Sequence, residues 1–301
     1  MSSQDFVLIT AAHNEAAYIE TTIRSIVEQT LRPLRWIIVS DASTDATDAI
    51  VRSWAEQHPF IELLRVDRAP EFSFAGKANA IALAWERLKG LDFGFIGILD
   101  ADVAFDPDYY QRLLLEFQQD PALGLSGGFI HETVDGVFVP RTGNRTWSVA
   151  GATQLFRRPC FEAIGGIQPM QFGGEDWRAE VSARMLGYTV RANPDLRAFH
   201  YRHTGNARNP YRYAFRQGRM DHAIGGYPPF VILKCVGRMR SPRTSLLALA
   251  RIGGFLWSST AGPARPVSPD FVRFLRREQR ARLLGRGDSL ERNLHPKSSL
   301  Q

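Results

Sequence analysis

The sequence contains little cysteine and no long apolar segment. Its 301 residues include two cysteines, Cys160 and Cys235, which have neither metal-ligand spacing nor further cysteines to build a disulfide framework. Two isolated cysteines are typical of reduced core thiols in a cytosolic protein. The best apolar candidate, residues 246–257, is short and carries Arg251, whereas a membrane-spanning helix needs about 20 apolar residues. The sequence therefore predicts neither a disulfide scaffold nor a membrane span.

Acidic residues are scarce in the C-terminal third of the chain. Residues 197–301 hold 20 Lys/Arg and 5 Asp/Glu, a net charge of +15, whereas residues 1–196 hold 17 Lys/Arg and 26 Asp/Glu, a net charge of −9. An acidic body with a basic flank indicates that the flank faces an anionic partner, either nucleic acid or anionic lipid. The N-terminal residues lack the basic and apolar regions of a signal peptide, so we expect a cytoplasmic protein.

Short apolar runs alternate with helical patterns over the first 120 residues. Four runs predict strands, at residues 6–10, 36–40, 61–66 and 93–99. Runs of this length that alternate with helices are typical of parallel strands covered on both faces. We therefore expect an open α/β sheet whose ligands lie beyond the carboxyl ends of the strands. After residue 120 the pattern becomes mixed, with a helix predicted at residues 176–186.

Polar and acidic residues follow three of these predicted strands. The first strand is followed by A-A-H-N-E (11–15), the second by D-A-S-T-D (41–45) and the fourth by D-A-D (100–102). Alone, Asp41, Ser43 and Thr44 are an ordinary helix-capping pattern. Their position on the same edge of the sheet as Asp100 favours a functional site instead.

Two Asp-x-Asp triplets lie six residues apart. Asp100 and Asp102 end a buried strand and point to the same side, because strand side chains alternate. Two close carboxylates repel each other unless a cation lies between them, and a divalent ion such as Mg²⁺ or Mn²⁺ leaves positions for substrate phosphates. Asp106 and Asp108 flank Pro107 at a predicted helix start, where carboxylates favourably face the helix dipole. We predict metal binding for the first triplet and helix capping for the second.

Seven motifs in a fixed order carry a family resemblance. They are A-A-H-N-E (11–15), S-D-A-S-T-D-A-T (40–47), G-K-A-N-A-I (76–81), L-D-A-D (99–102), G-A-T-Q-L-F-R-R (151–158), G-G-E-D-W-R (173–178) and F-H-Y-R-H (199–203). Over about residues 6–205 the sequence resembles the inverting family 2 glycosyltransferases. The resemblance implies an α/β GT-A fold, a Rossmann-like mixed sheet flanked by helices, as in nucleotide-diphospho-sugar transferases.

The resemblance also implies the catalytic and metal-binding residues. Asp100 and Asp102 resemble the pair that meets the donor diphosphate through a metal ion, and His200 or His203 lies where related enzymes place a further metal or phosphate ligand. Asp176, with Glu175 as the alternative, is similar to the general base that deprotonates the acceptor hydroxyl. A carboxylate-activated hydroxyl that attacks in line predicts inversion at the sugar.

The remaining motif positions imply contacts with the substrates. Asp41 is similar to the acidic residue that hydrogen-bonds the nucleotide base, and Lys77 to the basic residue that approaches the nucleotide. Trp147 is expected either against a sugar face or in the core. The implied substrate-binding residues are Thr10, Ala12, Asn14, Glu15, Asp41, Ser43, Lys77, Asn79, Asp100, Gly151, Trp147 and Arg202. The sequence departs from the family at Ala42 and Ala46, where glycine is usual, which leaves the shape of the base-binding loop open.

The basic C-terminal part predicts short helices with apolar and arginine-rich faces. Arg212, Arg216 and Arg219 share one helix face, and Trp257 ends the apolar run from residue 246. Such helices suit a membrane interface, although packing on the catalytic body with solvated arginines is the alternative. We expect a catalytic domain at 1–205, with a nucleotide-binding half at about 1–120 and an acceptor half at 121–205. This domain is followed by a basic, membrane-facing helical extension at 206–285 and by a flexible polar tail at 286–301.

The sequence therefore predicts a metal-dependent inverting glycosyltransferase that uses Mn²⁺ or Mg²⁺ and a nucleotide-sugar donor, with a UDP-sugar favoured. We also expect a glycan or lipid-linked acceptor and an anionic membrane surface as partners, on the inner face of the cell membrane. The expected role is in the assembly of a bacterial exopolysaccharide, capsule or glycolipid. A sugar-1-phosphate nucleotidyltransferase is the alternative enzyme, but its glycine-rich basic loop is not present after the first strand. A nucleic-acid-binding protein would explain the basic third but not the acidic strand ends, so no nucleic acid is expected.

Overall fold

The computed structural model describes residues 5–67, 75–202 and 209–285. They form two compact units, one of residues 5–169 and 175–202 and one of residues 170–174 and 209–285. The strands of the first unit are β1 (Phe6–Ala12), β2 (Arg35–Asp41), β3 (Ile61–Val66), β4 (Phe95–Leu99), β5 (Val103–Phe105), β6 (Leu123–Val134), β7 (Val137–Pro140), β8 (Thr153–Arg157) and β9 (Thr189–His200). Its helices are α1 (Ile19–Val27), α2 (Thr47–Gln57), α3 (Ala75–Leu88), α4 (Tyr109–Gln119), α5 (Arg158–Ala163) and α6 (Glu175–Met185).

All nine strands belong to one mixed sheet of order β3-β2-β1-β4-β8-β6-β9-β5, with β7 paired to β6. The first four strands are parallel, as predicted, and β8 joins β4 in the antiparallel direction. The prediction of a mixed α/β sheet flanked by helices is confirmed. The long strand β9 was not predicted, because Pro194 interrupts its pattern. The proline lies in a bulge, where the register with β6 jumps from Asn193 to Arg197.

The sheet separates two apolar clusters because successive side chains of β1 point to opposite faces. Leu8 packs with Ile23 of α1 on one face, and Ile9 packs with Ile81 of α3 on the other. All four side chains are almost completely buried. Burial on both faces explains why the parallel strands read as continuous apolar runs.

The second Asp-x-Asp triplet is structural, but not by the predicted mechanism. Helix α4 begins at Tyr109, and Asp108 precedes it without making a side-chain capping hydrogen bond to the described residues. Instead, Asp106 forms a two-pronged ion pair with Arg197, at 2.9 and 3.0 Å, and Asp108 lies 3.7 Å from Arg112. The capping prediction is therefore wrong, because both carboxylates pair with arginines.

The second unit consists of helices with two close backbone contacts. They are α7 (Pro210–Ala223), α8 (Pro228–Val236), α9 (Pro242–Ala261) and α10 (Pro269–Leu283), so the predicted helical C-terminal region is present. A Cβ at Gly218 would lie 1.8 Å from the carbonyl oxygen of Arg251, and one at Gly254 would lie 1.9 Å from that of Phe215. Glycine at both crossing points lets α7 and α9 touch. Among the described residues, no helix combines the length and apolarity needed to cross a membrane.

Candidate active site

Hydrogen bonds join the loops that follow β1 and β2. The backbone N–H of Asn14 donates to Ser43 Oγ at 3.1 Å, and that of Thr44 donates to Asn14 Oδ1 at 2.8 Å. The N–H of Glu15 donates to Thr47 Oγ1 at 2.8 Å. The structure thus brings together three predicted site residues, Asn14, Glu15 and Ser43, and uses the Ser43 hydroxyl to hold the loop.

The end of β2 has a left-handed turn at Ala42, with φ 53°. This is one of the positions where the resembling family usually has glycine, and the positive φ is the physical reason, because a Cβ is disfavoured there. The preceding residue, Asp41, ends β2, and its side chain lies beside the start of α3. A Cβ on Gly76 would lie 3.0 Å from Asp41 Oδ2. On the other side, His13 Nδ1 lies 2.6 Å from the carbonyl oxygen of Asp41.

Asp100 and Asp102, at the end of β4, have different partners. Asp100 pairs with Lys77 of α3. Asp102 is 6% exposed and lies 3.3 Å from His200 Nε2 and 3.4 Å from Arg202 Nε. Burial lowers the pKa of His200, but the hydrogen bond and charge of Asp102 outweigh burial, so the pKa is raised above its ordinary value. The first Asp-x-Asp triplet therefore lies among basic side chains from two parts of the chain, α3 and the end of β9.

Glu15 adds a third carboxylate to this edge and pairs with Arg202. Burial raises the pKa of Glu15 to about 7, and the charges of Asp102 and Asp100 add to the shift, while Arg202 opposes it. Because Arg202 pairs with both Glu15 and Asp102, the carboxylates of these two residues lie close together. Such an edge suits a divalent cation, which relieves the mutual repulsion of the carboxylates.

The donor set fits a hard cation that shares its coordination with phosphate oxygens. In residues 5–67, 75–202 and 209–285, no group of three or more His, Cys, Asp and Glu is arranged to hold a metal ion. His200, one of the predicted ligands, is instead the partner of Asp102. Mg²⁺-type sites in proteins use one or two carboxylates together with substrate phosphates rather than a complete protein cage. Asp100 and Asp102 provide that pair of carboxylates.

Glu175 and Asp176 begin α6. Asp176 Oδ1 accepts a hydrogen bond from the N–H of Trp177 at 2.7 Å, and a Cβ on Gly151 would lie 2.7 Å from Asp176 Oδ2. Burial, followed by the charge of Asp176, raises the pKa of Glu175. Glu175 Oε2 is buried and has no hydrogen-bond partner in the described part of the chain. Asp176 is thus the better oriented of the two carboxylates.

Lys77 connects the two groups of acids. Burial lowers its pKa, but the charge and hydrogen bond of Asp100, and then the charges of Glu175 and Asp176, outweigh burial and raise the pKa. The α6 carboxylates therefore lie within electrostatic reach of the end of β4. The arrangement places a candidate base near the candidate metal and diphosphate site.

A cavity of about 140 Å³ lies beside Asp176. Its lining comprises Gly128, Phe129, Arg141, Gly143, Asn144, Arg145, Ser148, Val149, Ala150, Asp176, Trp177, Glu180 and Ala192. The sequence analysis assigned no role to Arg141, Arg145, Trp177 or Glu180. The R-T-G-N-R segment at 141–145 is a signal that could have found the arginines, since it combines two cations with loop-forming residues.

Several predicted site residues lie elsewhere. Thr10 is fully buried and accepts a hydrogen bond from Trp36 Nε1 at 3.0 Å, so its side chain belongs to the core. Ala12 is buried at the end of β1. Asn79 is partly exposed on α3. Trp147 is also partly exposed, and it is not among the described residues that line the cavity. His203 and the predicted tail at 286–301 lie outside the described residues.

Comparison with known proteins gives a family match and partial relatives. Residues 7–176, more than half of the chain, match the family model described as glycosyl transferase family 2. The poly-β-1,6-N-acetyl-D-glucosamine synthase of Staphylococcus epidermidis is 29% identical over 119 residues, which is 39% of this chain and 26% of that protein. The corresponding Staphylococcus aureus (strain COL) synthase is 28% identical over 126 residues, 42% of this chain and 28% of that protein. The chain thus spans only about a quarter of the length of these curated relatives.

Solved structures share the fold at low sequence identity. The mannosyltransferase PcManGT from Pyrobaculum calidifontis, in complex with GDP-Man and Mn²⁺, has a TM-score of 0.54 at 20% identity and covers 96% of this chain and 82% of its own. S. aureus TarS 1–349 in complex with UDP-GlcNAc has a TM-score of 0.53 at 14% identity, with 97% and 93% covered. These likenesses confirm the predicted GT-A fold.

Proposed function

The chain belongs to glycosyl transferase family 2, and from this membership we propose that it transfers a sugar from a nucleotide-diphosphate donor to a hydroxyl acceptor with inversion. The observation that carries the proposal is the meeting of two acidic groups around Lys77, Asp100 from β4 and Asp176 from α6. The reaction needs both groups, one to face the leaving diphosphate and one to take the proton of the acceptor.

Asp100 and Asp102 would hold Mn²⁺ or Mg²⁺ together with the diphosphate oxygens. When bound, the ion supplies Lewis-acid neutralisation of the negative charge that develops on the leaving diphosphate. Lys77 and Arg202 add positive charge at the same place, because each already pairs with a carboxylate of this edge. The Mn²⁺ ions in two of the similar structures support the use of a divalent metal.

Asp176 acts as the general base. A base has to be ionised at the working pH and must reach the proton that it removes. The carboxylate of Asp176 borders the cavity in which an acceptor can lie. Burial and the charge of Asp176 raise the pKa of Glu175, which disfavours the ionised form that a general base needs and makes Glu175 the weaker candidate.

The donor is a nucleotide sugar, with a UDP-sugar favoured. S. aureus TarS is described in complex with UDP-GlcNAc, and the staphylococcal relatives are named as synthases of a glucosamine polymer. These names support a role in the assembly of a bacterial exopolysaccharide, capsule or glycolipid, with a glycan or lipid-linked acceptor. A sugar-1-phosphate nucleotidyltransferase is not favoured, because the loop after β1 reads A-A-H-N-E and carries no glycine-rich basic segment.

The second unit serves as a peripheral anchor on the inner face of the cell membrane. Large apolar side chains are exposed at helical spacing on α9, at Leu246, Leu249, Leu256 and Trp257. Arginines precede this face at residues 238, 240 and 243. Each basic residue near an anionic leaflet contributes about 1 kcal/mol of binding free energy. Apolar and basic side chains together favour a lipid surface over nucleic acid.

Donor hydrolysis tests the catalytic proposal. We expect Mn²⁺-dependent cleavage of one nucleotide sugar from a panel of UDP-, GDP- and dTDP-sugars, after a thermal-shift screen has identified the donor that binds. Asp176→Asn should abolish transfer while leaving donor binding unchanged, whereas Glu175→Gln should retain transfer. Transfer at the wild-type rate by a folded Asp176→Asn protein would remove Asp176 as the base.

Flotation with anionic vesicles tests the membrane proposal. The full chain should float with phosphatidylglycerol vesicles at low salt, and Leu249→Asp/Trp257→Asp should lose this binding. A gel shift with duplex DNA across the same salt series provides the comparison. Binding to DNA without binding to vesicles would contradict the membrane proposal.

A further inference from the structure

The loop between β7 and β8 is fixed to the first unit on both sides of the cavity. Asn144 brackets the backbone of Ile130, accepting from its N–H at 3.2 Å and donating to its carbonyl oxygen at 2.8 Å. At the other end of the loop, Ser148 Oγ and the N–H of Val149 donate to Glu180 Oε1 at 3.1 and 3.0 Å. The loop side chains that line the cavity therefore project from an anchored backbone.

Two arginines of this loop line the cavity without a carboxylate partner. Within the described residues, neither Arg141 nor Arg145 makes an ion pair, and Arg141 Nε is buried with no hydrogen-bond partner. Arg145 Nη1 donates to the backbone carbonyl groups of Thr142, at 3.2 Å, and Asn144, at 2.6 Å. A buried donor that lacks an acceptor is costly, so a ligand that supplies acceptor oxygens would be stabilised here.

Glu180, the other acid of the cavity lining besides Asp176, does not neutralise these arginines. Its side chain is 2% exposed, Oε1 is used by the loop, and Oε2 lies 3.5 Å from Arg184. Burial raises the pKa of Glu180 to about 8 despite Arg184, so the carboxyl is largely protonated near pH 7. The lining of the cavity therefore combines the guanidinium groups of the loop with the carboxyl group of Asp176.

We infer that this cavity is the acceptor site and that Arg141 and Arg145 select an acceptor bearing an anionic group, a carboxylate or a phosphate, close to the hydroxyl that Asp176 deprotonates. The inference rests on the proposed transferase function. Planar guanidinium groups match the oxygens of both anions in geometry and charge. Trp177, which also lines the cavity, supplies an aromatic surface against which a sugar ring can pack.

The donor diphosphate does not account for these two arginines. Its expected counter-charges are Lys77, Arg202 and a metal ion on Asp100 and Asp102. None of these four residues belongs to the described lining of the cavity. The cavity has a volume of about 140 Å³, several times what is needed to hold one water molecule, which suits one ring or one charged group.

Matched pairs of small acceptors test the inference. Binding to the full chain, saturated with UDP and Mn²⁺, is measured by calorimetry for glucuronate against glucose and for glycerol 1-phosphate against glycerol. In at least one pair we expect the anion to bind about 10- to 100-fold more tightly, as for hydrogen bonds to charged groups. Arg141→Gln/Arg145→Gln should reduce this preference to about twofold. The pair with the larger preference identifies the anion as a carboxylate or a phosphate.

A control variant separates the site from overall charge. Arg24→Gln/Arg112→Gln removes the same charge from two exposed arginines of the first unit, which pair with Glu20 and Asp108, and should keep the preference. Because Arg145 is exposed, the single Arg145→Gln variant should fold even if the double variant does not, and it should lose part of the preference.

Three results would overturn the inference. The first is that the wild type shows no preference for either anion. The second is that the full preference persists in the folded Arg141→Gln/Arg145→Gln variant or in Arg145→Gln. The third is that these variants also lose affinity for UDP, which would assign the arginines to the donor. UDP binding and donor hydrolysis are also measured without an acceptor. Their absence in the wild type would refute the proposed function, whereas their presence without anion preference would refute this inference alone.

Discussion

A Cβ placed on Gly151 would lie 2.7 Å from the Oδ2 of Asp176. This separation is shorter than any normal contact between a carbon and an oxygen, so the absence of a side chain at residue 151 is what leaves room for the candidate base. Gly151 was predicted to contact the substrate, and the atoms that an added Cβ would meet first are the Cβ, Oδ2 and Cγ atoms of Asp176.

We expect Gly151→Ala to displace the carboxylate of Asp176 and to lower kcat for transfer. A displacement of about 1 Å at a reacting group costs on the order of 100-fold in rate, while the affinity for UDP should stay within about twofold because the donor contacts other residues. Gly90→Ala is the control, because no described heavy atom lies within 4 Å of a Cβ there. Equal rates for the two variants would show that Asp176 tolerates the displacement.

The two Asp-x-Asp triplets provide an internal comparison for the metal site. Asp102→Asn should lower transfer by about 100-fold or more and raise the Mn²⁺ concentration needed for half-maximal activity, because a Lewis-acid metal contributes several kcal/mol. Asp108→Asn makes the same chemical change at an exposed residue of the second triplet and should leave both quantities unchanged. Steady-state rates across a Mn²⁺ series measure the difference. An equal loss in both variants would contradict the assignment of metal binding to the first triplet.

Glu180 should make the stability of the first unit fall as the pH rises from about 5 to 8. Burial raises its pKa from 4.5 to about 8, so between these values the folded state holds a proton that the unfolded state releases. The stability contribution is present below the unfolded pKa and is lost through the folded pKa, with a slope of at most ~1.4 kcal/mol per pH unit. Urea unfolding of wild type and Glu180→Gln at several pH values measures this difference. A difference that is constant with pH would mean that Arg184 keeps Glu180 ionised.

The buried ion pair of the second unit should be sensitive to the loss of one partner. Asp221 is 1% exposed and accepts from Arg251 Nε at 2.6 Å and Nη2 at 2.9 Å. Asp221→Ala should lower the free energy of unfolding of the second unit by about 3–5 kcal/mol, since it leaves a buried cation unpaired. The exposed pair of Asp270 and Arg273 is the control, because Asp270→Ala should cost at most ~1 kcal/mol. Denaturation with urea, followed by circular dichroism, compares the variants, and equal losses would contradict the expectation.

Local patterns were sufficient for the first half of the sheet. Its parallel strands are short runs of apolar residues buried on both faces, so composition and length alone identify them. The acidic strand ends followed from the same pattern, since parallel strands place their carboxyl ends on one edge. The family resemblance, carried by motifs such as L-D-A-D, is confirmed by the match of residues 7–176.

Local patterns failed where tertiary contacts decide the structure. Strand β9 could not be predicted from the sequence because Pro194 interrupts its pattern. The bulge that accommodates the proline forms where β9 pairs with β6. The sequence pointed to Trp147 as a sugar-stacking residue, whereas in the described chain Trp177 lines the cavity and Trp147 does not. Asp106 and Asp108 flank a proline in a pattern typical of helix capping. Asp108 pairs with Arg112 one helical turn away, whereas the pairing of Asp106 with Arg197 depends on the tertiary structure.

The sequence by itself determined the family, the α/β class and the identity of the acids at the strand ends, because these depend on short-range periodicity and on motifs within a few residues. The tertiary structure decided which charges face one another. Lys77 meets Asp100 across 23 positions, and Arg202 meets Glu15 across 187. Likewise, the tertiary structure leaves Arg141 and Arg145 without a carboxylate partner among residues 5–67, 75–202 and 209–285. Charges that are distant in the sequence interact only where the fold brings them together, so helix and strand periodicity predicts the local ion pairs and not these long-range ones.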